Sequence, residues 1–410
     1  MDKIIKIKYF PIKIIIISII LICYFKIKIK NKFINIENYY LIKSIYNITK
    51  INLYINYLNS NFKIIKRINN GRFIKKENPF LSICISSYNS EKYIEKAILS
   101  VINQSFQDFE IIVINDNSID NSSKILMKLQ KNDTRIKLIN HSQNLGIYNS
   151  RAEGVLNSKS KYILFLDSDD MIFNPFLFEN IYECYLKYNL DIIEFTVFRK
   201  LEEENKLYYS PLHELNHYHN YSNNIIYQPE LSNILFYIPN TKEYSRVKCR
   251  TVWNKIYKKD IVLKSINYIE KSFFQNYYFI IAEDTILNIL IFNFAQNYTN
   301  LNIPGYLYNV RKSSITHREE DEDSLIKKYI SFFLYYLIFH RYIKEFDKDR
   351  NYLYYDLKEY GEYILNLTKY NNTEYYIKKV KIMLNDILND NNATLEFKNY
   401  IKIFYKKILK

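Results

Sequence analysis

A chain of 410 residues, 48% hydrophobic and with only 5 glycines and 7 prolines, can build one large domain with extensions around a sizeable core. The net charge of +15 hints at a polyanion-binding surface, but residues 1–76 hold 16 Lys and Arg against Asp2 and Glu37, so nearly all of it sits at the N-terminal end. The remainder is close to neutral, which argues against nucleic acid as a partner; four cysteines with no C-x-x-C pair argue against a zinc or disulfide scaffold, with only a Cys184–Cys249 bridge left open.

Ile14–Phe25 is an uncharged apolar run of twelve residues, and with Tyr9–Ile12 and a tolerated Lys13 it reaches seventeen, the lower limit for a spanning helix. Lys3, Lys6 and Lys8 precede it, Lys26, Lys28, Lys30 and Lys32 follow, and no small-residue cleavage site comes after. Residues 1–32 therefore read as an uncleaved, single-pass signal-anchor. Positive charge on both flanks leaves its orientation open: a Golgi or ER type II protein in a eukaryote, an inner-membrane protein in a bacterium. Residues 33–78, rich in Asn, Lys and Ile without a clear period, read as a stem.

From residue 79 the pattern changes to alternating strands and helices. Leu81–Ser87 reads as a buried strand, broken by Tyr88-Asn89-Ser90, where Asn89 or Ser90 can cap the next helix. Ile94, Ala97, Ile98, Val101 and Ile102 form one apolar helical face. Phe109–Ile114 predicts a second strand, Asp120–Lys131 a helix, Ile136–Ile139 a third strand, Ile147–Leu156 a helix and Tyr162–Leu166 a fourth strand. Such an alternation predicts an α/β fold with a mostly parallel sheet and flanking helices, Rossmann-like in its crossovers.

Each strand ends in polar residues, so Asn89, Asp116, Asp167 and Asp169 are expected along one edge of the sheet, where open α/β sheets bind ligands. Neither G-x-G-x-x-G nor a P-loop comes after the first strand, which argues against a dinucleotide or hydride-transfer site. In Asp167-Ser168-Asp169-Asp170 the acids are expected just past the last ladder hydrogen bond, with Asp170 capping the next element. An isolated D-x-D is usually a solvated turn, but crowded carboxylates also suit a divalent cation, Mn²⁺ or Mg²⁺.

Leu81–Asp170 resembles the donor-binding half of the family 2 glycosyltransferases, which have the GT-A fold. The resemblance rests on Ser86-Ser87-Tyr88-Asn89, Ser100–Phe106, Phe109–Asp120, Asn144-Leu145-Gly146 with Arg151-Ala152, and Asp167–Asp170, in that order. One departure is visible: the family usually has two acids where this chain has Asn115-Asp116. By position, the resemblance implies a nucleotide-sugar site made of Ser87, Tyr88, Asn89, Asp116 at the nucleobase, Arg151 near the donor phosphates, Asp167 at the ribose, and Ser168. It implies Asp169 as the metal ligand.

Farther on, a helix and then a strand at Leu190–Phe195 precede an irregular stretch to Arg250 whose His213, His217 and His219 read as solvated loop histidines. Val252–Tyr257 carries Trp253, which in the resemblance lines the donor sugar and otherwise reads as a core Trp. Ile280–Leu287 places Glu283-Asp284 immediately before an amphipathic helix, an ordinary capping pattern. In the resemblance the same pair lies at the acceptor site, with Asp284 the general base and Glu283 binding the acceptor. Pro304–Tyr308 reads as a short strand closing the site, with Arg311 or His317 within reach of diphosphate or metal. Glu319–Asp323 reads as a solvated linker and residues 324–410 as helices that cover the domain, meet a membrane or bind a partner.

The domain plan is therefore an anchor (1–32), a stem (33–78), a GT-A domain (79–318) and a helical extension (319–410). The expected activity is metal-dependent, inverting transfer from a nucleotide-diphosphate sugar, a UDP-sugar first among them, to a hydroxyl of a glycan, lipid or protein. The rivals are a degenerate scaffold and a sugar nucleotidyltransferase; the latter needs a Gly-rich basic loop that Ser86–Ser90 does not offer.

Overall fold

The computed structural model describes residues 76–201, 206–210, 225–228, 231, 237–238, 243–244, 251–271, 283–311, 322–346, 374–389, 395, 398–399, 401–403 and 406. The expected anchor, nearly all of the stem, His213, His217, His219, Cys249 and His317 lie outside these residues. Among the described residues no helix is long and apolar enough to cross a membrane.

β1 (Leu81–Ser87), α1 (Ile94–Ile102), β2 (Phe109–Asn115), α2 (Ser122–Asn132), β3 (Ile136–Asn140), α3 (Ile147–Leu156) and β4 (Tyr162–Asp167) succeed one another in strict alternation. Next come β5 (Met171–Ile172), α4 (Leu177–Tyr188), β6 (Ile192–Leu201), β7 (Lys206–Ser210), β8 (Ile226–Tyr227), β9 (Tyr237–Ile238) and β10 (Glu243–Tyr244). The C-terminal part comprises β11 (Lys255–Lys258), α5 (Lys259–Lys271), α6 (Glu283–Phe294), β12 (Asn297–Val310), α7 (Glu322–Phe346) and α8 (Glu374–Leu388).

One ten-stranded sheet has the order β3-β2-β1-β4-β11-β6-β12-β5, with β7 on β6 and β8 on β12; β9 and β10 pair separately. β1 runs parallel to β2 and β4, and β2 parallel to β3. β11 is antiparallel to both of its neighbours. Beyond β4 the sheet is mixed: β6 and β12 run parallel, joined through α5 and α6, while β5, β7 and β8 pair antiparallel at its margin.

The buried strands carry apolar side chains on both faces, and the period-2 alternation sorts these into two cores. Ile83, Ile85, Leu164 and Leu166 join Ile94, Ile98, Leu126 and Phe178 on the face covered by α1, α2 and α4. Cys84, Ile163 and Phe165 join Ala152, Val155, Val262, Ile286 and Leu290 on the face covered by α3, α5 and α6. Gly154 lets α3 approach β1 closely: a Cβ there would lie 3.1 Å from the Cβ of Cys84. Cys84 and Cys184 are buried free thiols.

Several local expectations change. The N-cap of α1 is Tyr93, not Asn89 or Ser90, because the Asn89 side chain is committed elsewhere. Asp167 lies inside β4, opposite Ser86, rather than beyond it. Pro304–Tyr308 is the middle of the fourteen-residue β12, whose register against β6 shifts on either side of Pro304, a residue that cannot donate to the ladder. Glu322 and Asp323, expected in a linker, open α7. α6 is not amphipathic: Thr285 through Phe292 are all buried. Its outer side is covered by α7, whose Leu334, Tyr335, Ile338 and Phe339 share its core with Val380 and Leu384 of α8. The C-terminal helices thus cover the domain.

Candidate active site

The in-register pairs Ser87–Asn115, Ser86–Asp167 and Asn115–Asn140 bring the carboxyl ends of β1, β2, β3 and β4 to one edge. At the β1 end, Ser87 is buried, its Oγ 2.7 Å from that of Ser90. Tyr88 is half exposed. Asn89 adopts φ 47°, a left-handed conformation Asn tolerates, and its Oδ1 accepts the Ile119 N–H at 3.0 Å. This ties the β1 turn to the β2 turn.

Asp116, one residue past β2, is buried and heavily engaged. Its Oδ1 accepts the Leu145 N–H at 2.7 Å and its Oδ2 the Gly146 N–H at 2.8 Å, while His141 Nδ1 lies 2.7 Å from Oδ1. Gly146 precedes α3 with φ 87°, a region open to glycine, so its N–H can point at the carboxylate. The sequence reading missed His141. Its only signal was a histidine one residue beyond a strand end, on the edge where the site was expected.

Arg151, on α3, is the centre of a second cluster. Its side chain is 4% exposed, and the guanidinium donates to Asp167 Oδ1 at 2.9 Å, to Glu283 Oε1 at 3.0 Å and to Asp284 Oδ1. It is not a helix-surface Arg: three carboxylates from the end of β4 and the first turn of α6 occupy it. A guanidinium presents donors in a planar fork, so one side chain can hold several acids at fixed angles. Asp284 Oδ2 also accepts the Val252 N–H at 3.4 Å.

The two neighbouring acids separate electrostatically. Burial, and then the charge of Asp284, push Glu283 up to about 8, with Arg151 opposing. Burial also raises Asp284, but Arg151 and a hydrogen bond with Glu283 pull it back. Paired acids driven apart in this way settle into a protonated and an ionised partner. The causes favour the proton on Glu283 and the charge on Asp284, beside Arg151.

Asp169 is ion-paired with Arg311, which also lies over the Tyr93 ring at 4.6 Å. Burial and the charge of Asp167 raise its affinity for protons, with Arg311 opposing. Asp170 caps nothing. It is buried, its Oδ2 accepting the Tyr306 hydroxyl and its Oδ1 the Asn309 N–H, each at 2.8 Å, which fastens β12 beneath the acidic turn. Ser168, partly buried, sits between the two acids. Trp253 is 6% exposed, stacked on Tyr306 (centroids 4.4 Å) and Tyr308 (5.4 Å), and so packs as a core Trp behind the turn.

Asp167 and Asp169 are hard oxygen donors, Asp169 being raised first by burial and then by the charge of Asp167, and the chemistry of that donor set fits Mg²⁺ or Mn²⁺. Among the described residues no three acidic, His or Cys groups converge as a metal cage, so these two acids would form part of a shell that ligand phosphates complete.

Known proteins resemble this chain in sequence and in fold. Residues 82–264 match the family described as "Glycosyl transferase family 2". The chain is similar to glycosyltransferase GlyA of Streptococcus pneumoniae, 27% identical over 236 residues, 58% of this chain but 31% of that protein's length. It is also similar to EpsJ of Bacillus subtilis, described as an uncharacterized glycosyltransferase, 28% identical over 264 residues, 63% of this chain and 71% of EpsJ. Among solved structures, Staphylococcus aureus TarS (residues 1–349) in complex with UDP-GlcNAc superposes with a TM-score of 0.52 at 18% identity, covering 80% of this chain and 88% of that one; the same fragment with UDP gives 0.50 at 17%. The fold is therefore of the GT-A type, and residues 82–264 are a family 2 glycosyl transferase domain.

Proposed function

We propose that this protein transfers a sugar from a nucleotide-diphosphate sugar, a UDP-sugar first among the candidates, to an acceptor hydroxyl with inversion, at a membrane to which residues 1–32 anchor it. The observation that carries this reading is the Arg151 cluster, which joins the acid ending β4 to the acidic pair opening α6. Donor-side and acceptor-side carboxylates more than a hundred residues apart thereby share one cation. The UDP and UDP-GlcNAc bound by TarS support the choice of donor.

Asp284, ionised beside a protonated Glu283, takes the proton of the attacking hydroxyl as the new C–O bond forms and the bond to diphosphate breaks. A positioned base of this kind contributes roughly 10²–10⁴-fold. Arg151 orients that base and the ribose-side Asp167; its guanidinium is committed to carboxylates, so its effect on the donor phosphates passes through them. Asp116 keeps about one of its roughly four acceptor positions for the nucleobase after Leu145, Gly146 and His141. Asp169, with Asp167, would hold Mn²⁺ or Mg²⁺, a Lewis acid that neutralises charge on the departing diphosphate. The Arg311–Asp169 ion pair favours a second reading, in which Arg311 is the cation that meets the diphosphate.

The test is turnover of a donor panel (UDP-, GDP- and dTDP-sugars) by the full chain, beside Asp169→Ala and Asp284→Asn, with and without EDTA. Turnover lost on chelation and in both variants supports the metal-dependent reading. Turnover that survives EDTA but not Arg311→Ala selects the second. Equal turnover in wild type and both aspartate variants overturns the site, and none with any donor favours a scaffold.

A further inference from the structure

Just past the end of β3, at the same edge of the sheet, the His141 ring has a carboxylate on each side. Nδ1 lies 2.7 Å from Asp116 Oδ1 and Nε2 2.6 Å from Glu153 Oε2, and the His141 side chain is 5% exposed. A neutral imidazole has one N–H and one lone pair, so it would turn that lone pair towards a carboxylate; only the doubly protonated ring donates to both. Burial opposes the charge, but the hydrogen bonds and charges of Asp116 and Glu153 outweigh it and raise His141 above its ordinary value. These two acids face the ring from the end of β2 and from α3. On β3, the strand that leads to His141, Lys137 is turned to Asn157 Oδ1 at 2.8 Å.

The arrangement has a mechanical consequence. Asp116 Oδ1 accepts from His141 and Leu145, and Oδ2 from Gly146, the residue from which α3 starts. α3 itself carries both Glu153 and Arg151. His141 thus closes a loop of contacts: β2 turn, ring, helix, helix entry, and back to the same carboxylate. Opening it removes one of the three contacts that fix the Asp116 carboxylate and so weakens its hold on the Leu145–Gly146 backbone.

We propose that His141, held between Asp116 and Glu153, is a positioning residue that sets the Asp116 carboxylate and the Leu145–Gly146 backbone for the nucleoside end of the donor. This rests on the donor-site reading above. Donor binding is then strongest while the ring holds both protons. Because the pairing raises the ring's pKa in the folded protein, the ring keeps both protons where a free imidazole has lost one, and the benefit is lost as pH rises through that raised value.

The experiment measures UDP affinity, with GDP in parallel, for the full chain between pH 5.5 and 9, and donor KM and kcat across the same range. Wild type should lose affinity with rising pH while kcat at saturating donor does not share that break. Glu153→Gln, on the partly exposed side of the ring, should move the break to lower pH and leave low-pH affinity nearly intact. At low pH His141→Leu should bind about tenfold more weakly than wild type, the equivalent of one lost charge-assisted contact, and with no break of its own it should meet the wild-type affinity at high pH. His141→Gln, which can still donate to Asp116, should recover part of that loss. The ¹⁵N shifts of the His141 ring should report two protons at neutral pH.

The inference is overturned if Glu153→Gln leaves the pH dependence in place, or if His141→Leu lowers kcat and affinity in step with Tm as a merely structural residue would. If His141→Leu does not fold, Glu153→Gln and the ring shifts decide. Asp116→Asn separates the two levels. Weaker binding in Asp116→Asn with no effect of Glu153→Gln sinks this inference alone; no nucleotide affinity in wild type, or none lost in Asp116→Asn, sinks the donor site and the inference with it.

Discussion

Glu283 and Asp284 are adjacent in sequence and alike in chemistry, yet burial, their mutual charge and Arg151 act on them unequally, and Arg151 opposes the rise at Asp284 directly after burial. Asp284 must be ionised to act as base, and its folded pKa is raised above the ordinary aspartate value. The acid limb of kcat/KM is therefore expected above pH 4, with activity rising as pH rises through it. Asp284→Asn should lower kcat by roughly 10²–10⁴ with donor KM little changed. Arg151→Lys tests the clamp, since an ammonium is a point charge that cannot span three carboxylates. It should cost at least about tenfold in kcat/KM and shift the acid limb upward, because the cation that pulls Asp284 down is then less well placed; an unmoved limb would separate Arg151 from the base.

At the scale of elements, two glycines set how closely backbones meet. A Cβ on Gly305, in β12, would lie 2.5 Å from a Phe195 ring carbon and 2.8 Å from a Leu177 methyl. Gly305→Ala should destabilise by about 1–3 kcal/mol, read as a lower midpoint in denaturant unfolding. Gly154→Ala asks for only a few tenths of an ångström between α3 and β1, so its stability cost should be smaller. Because α3 carries Arg151 and Glu153, its activity loss should exceed what the stability change explains, and proportionate losses would show that α3 tolerates the shift. The alternating elements were legible in sequence because a doubly covered parallel strand needs apolar residues on both faces. β11, the register shifts in β12 and the burial of α6 were not legible, since each depends on what packs alongside rather than on local period.

Across the whole molecule, the C-terminal helices brace the candidate site from outside. α7 packs on α6, and Tyr342 donates to Asn293 Oδ1 at 3.1 Å, so the helix opening with Glu283-Asp284 is held from outside by residues 322–346. Phe339→Ala, at a fully buried ring, should cost about 3–5 kcal/mol. Turnover should fall before global unfolding, because α6 loosens first; a variant that loses stability with normal kcat would argue that α6 is held by α5 alone. The anchor proposed for residues 1–32 makes the full chain resistant to alkaline extraction from membranes, and release by carbonate would remove that assignment.

By itself the sequence determined the α/β alternation, the edge at which polar residues gather and the family resemblance of Leu81–Asp170, because these arise from local hydrophobic period and from motifs read in order. Only the tertiary structure decided which acids share a cation. Nothing local pairs Arg151 with Asp284, gives Asp170 to β12 rather than to a helix cap, or closes His141 between Asp116 and Glu153, since each contact spans strands or helices that meet only when the sheet is assembled. The acidic turn after β4 illustrates both halves. Its carboxylates are plain in the sequence, while their division between Arg151, Arg311 and Tyr306 is a property of the fold.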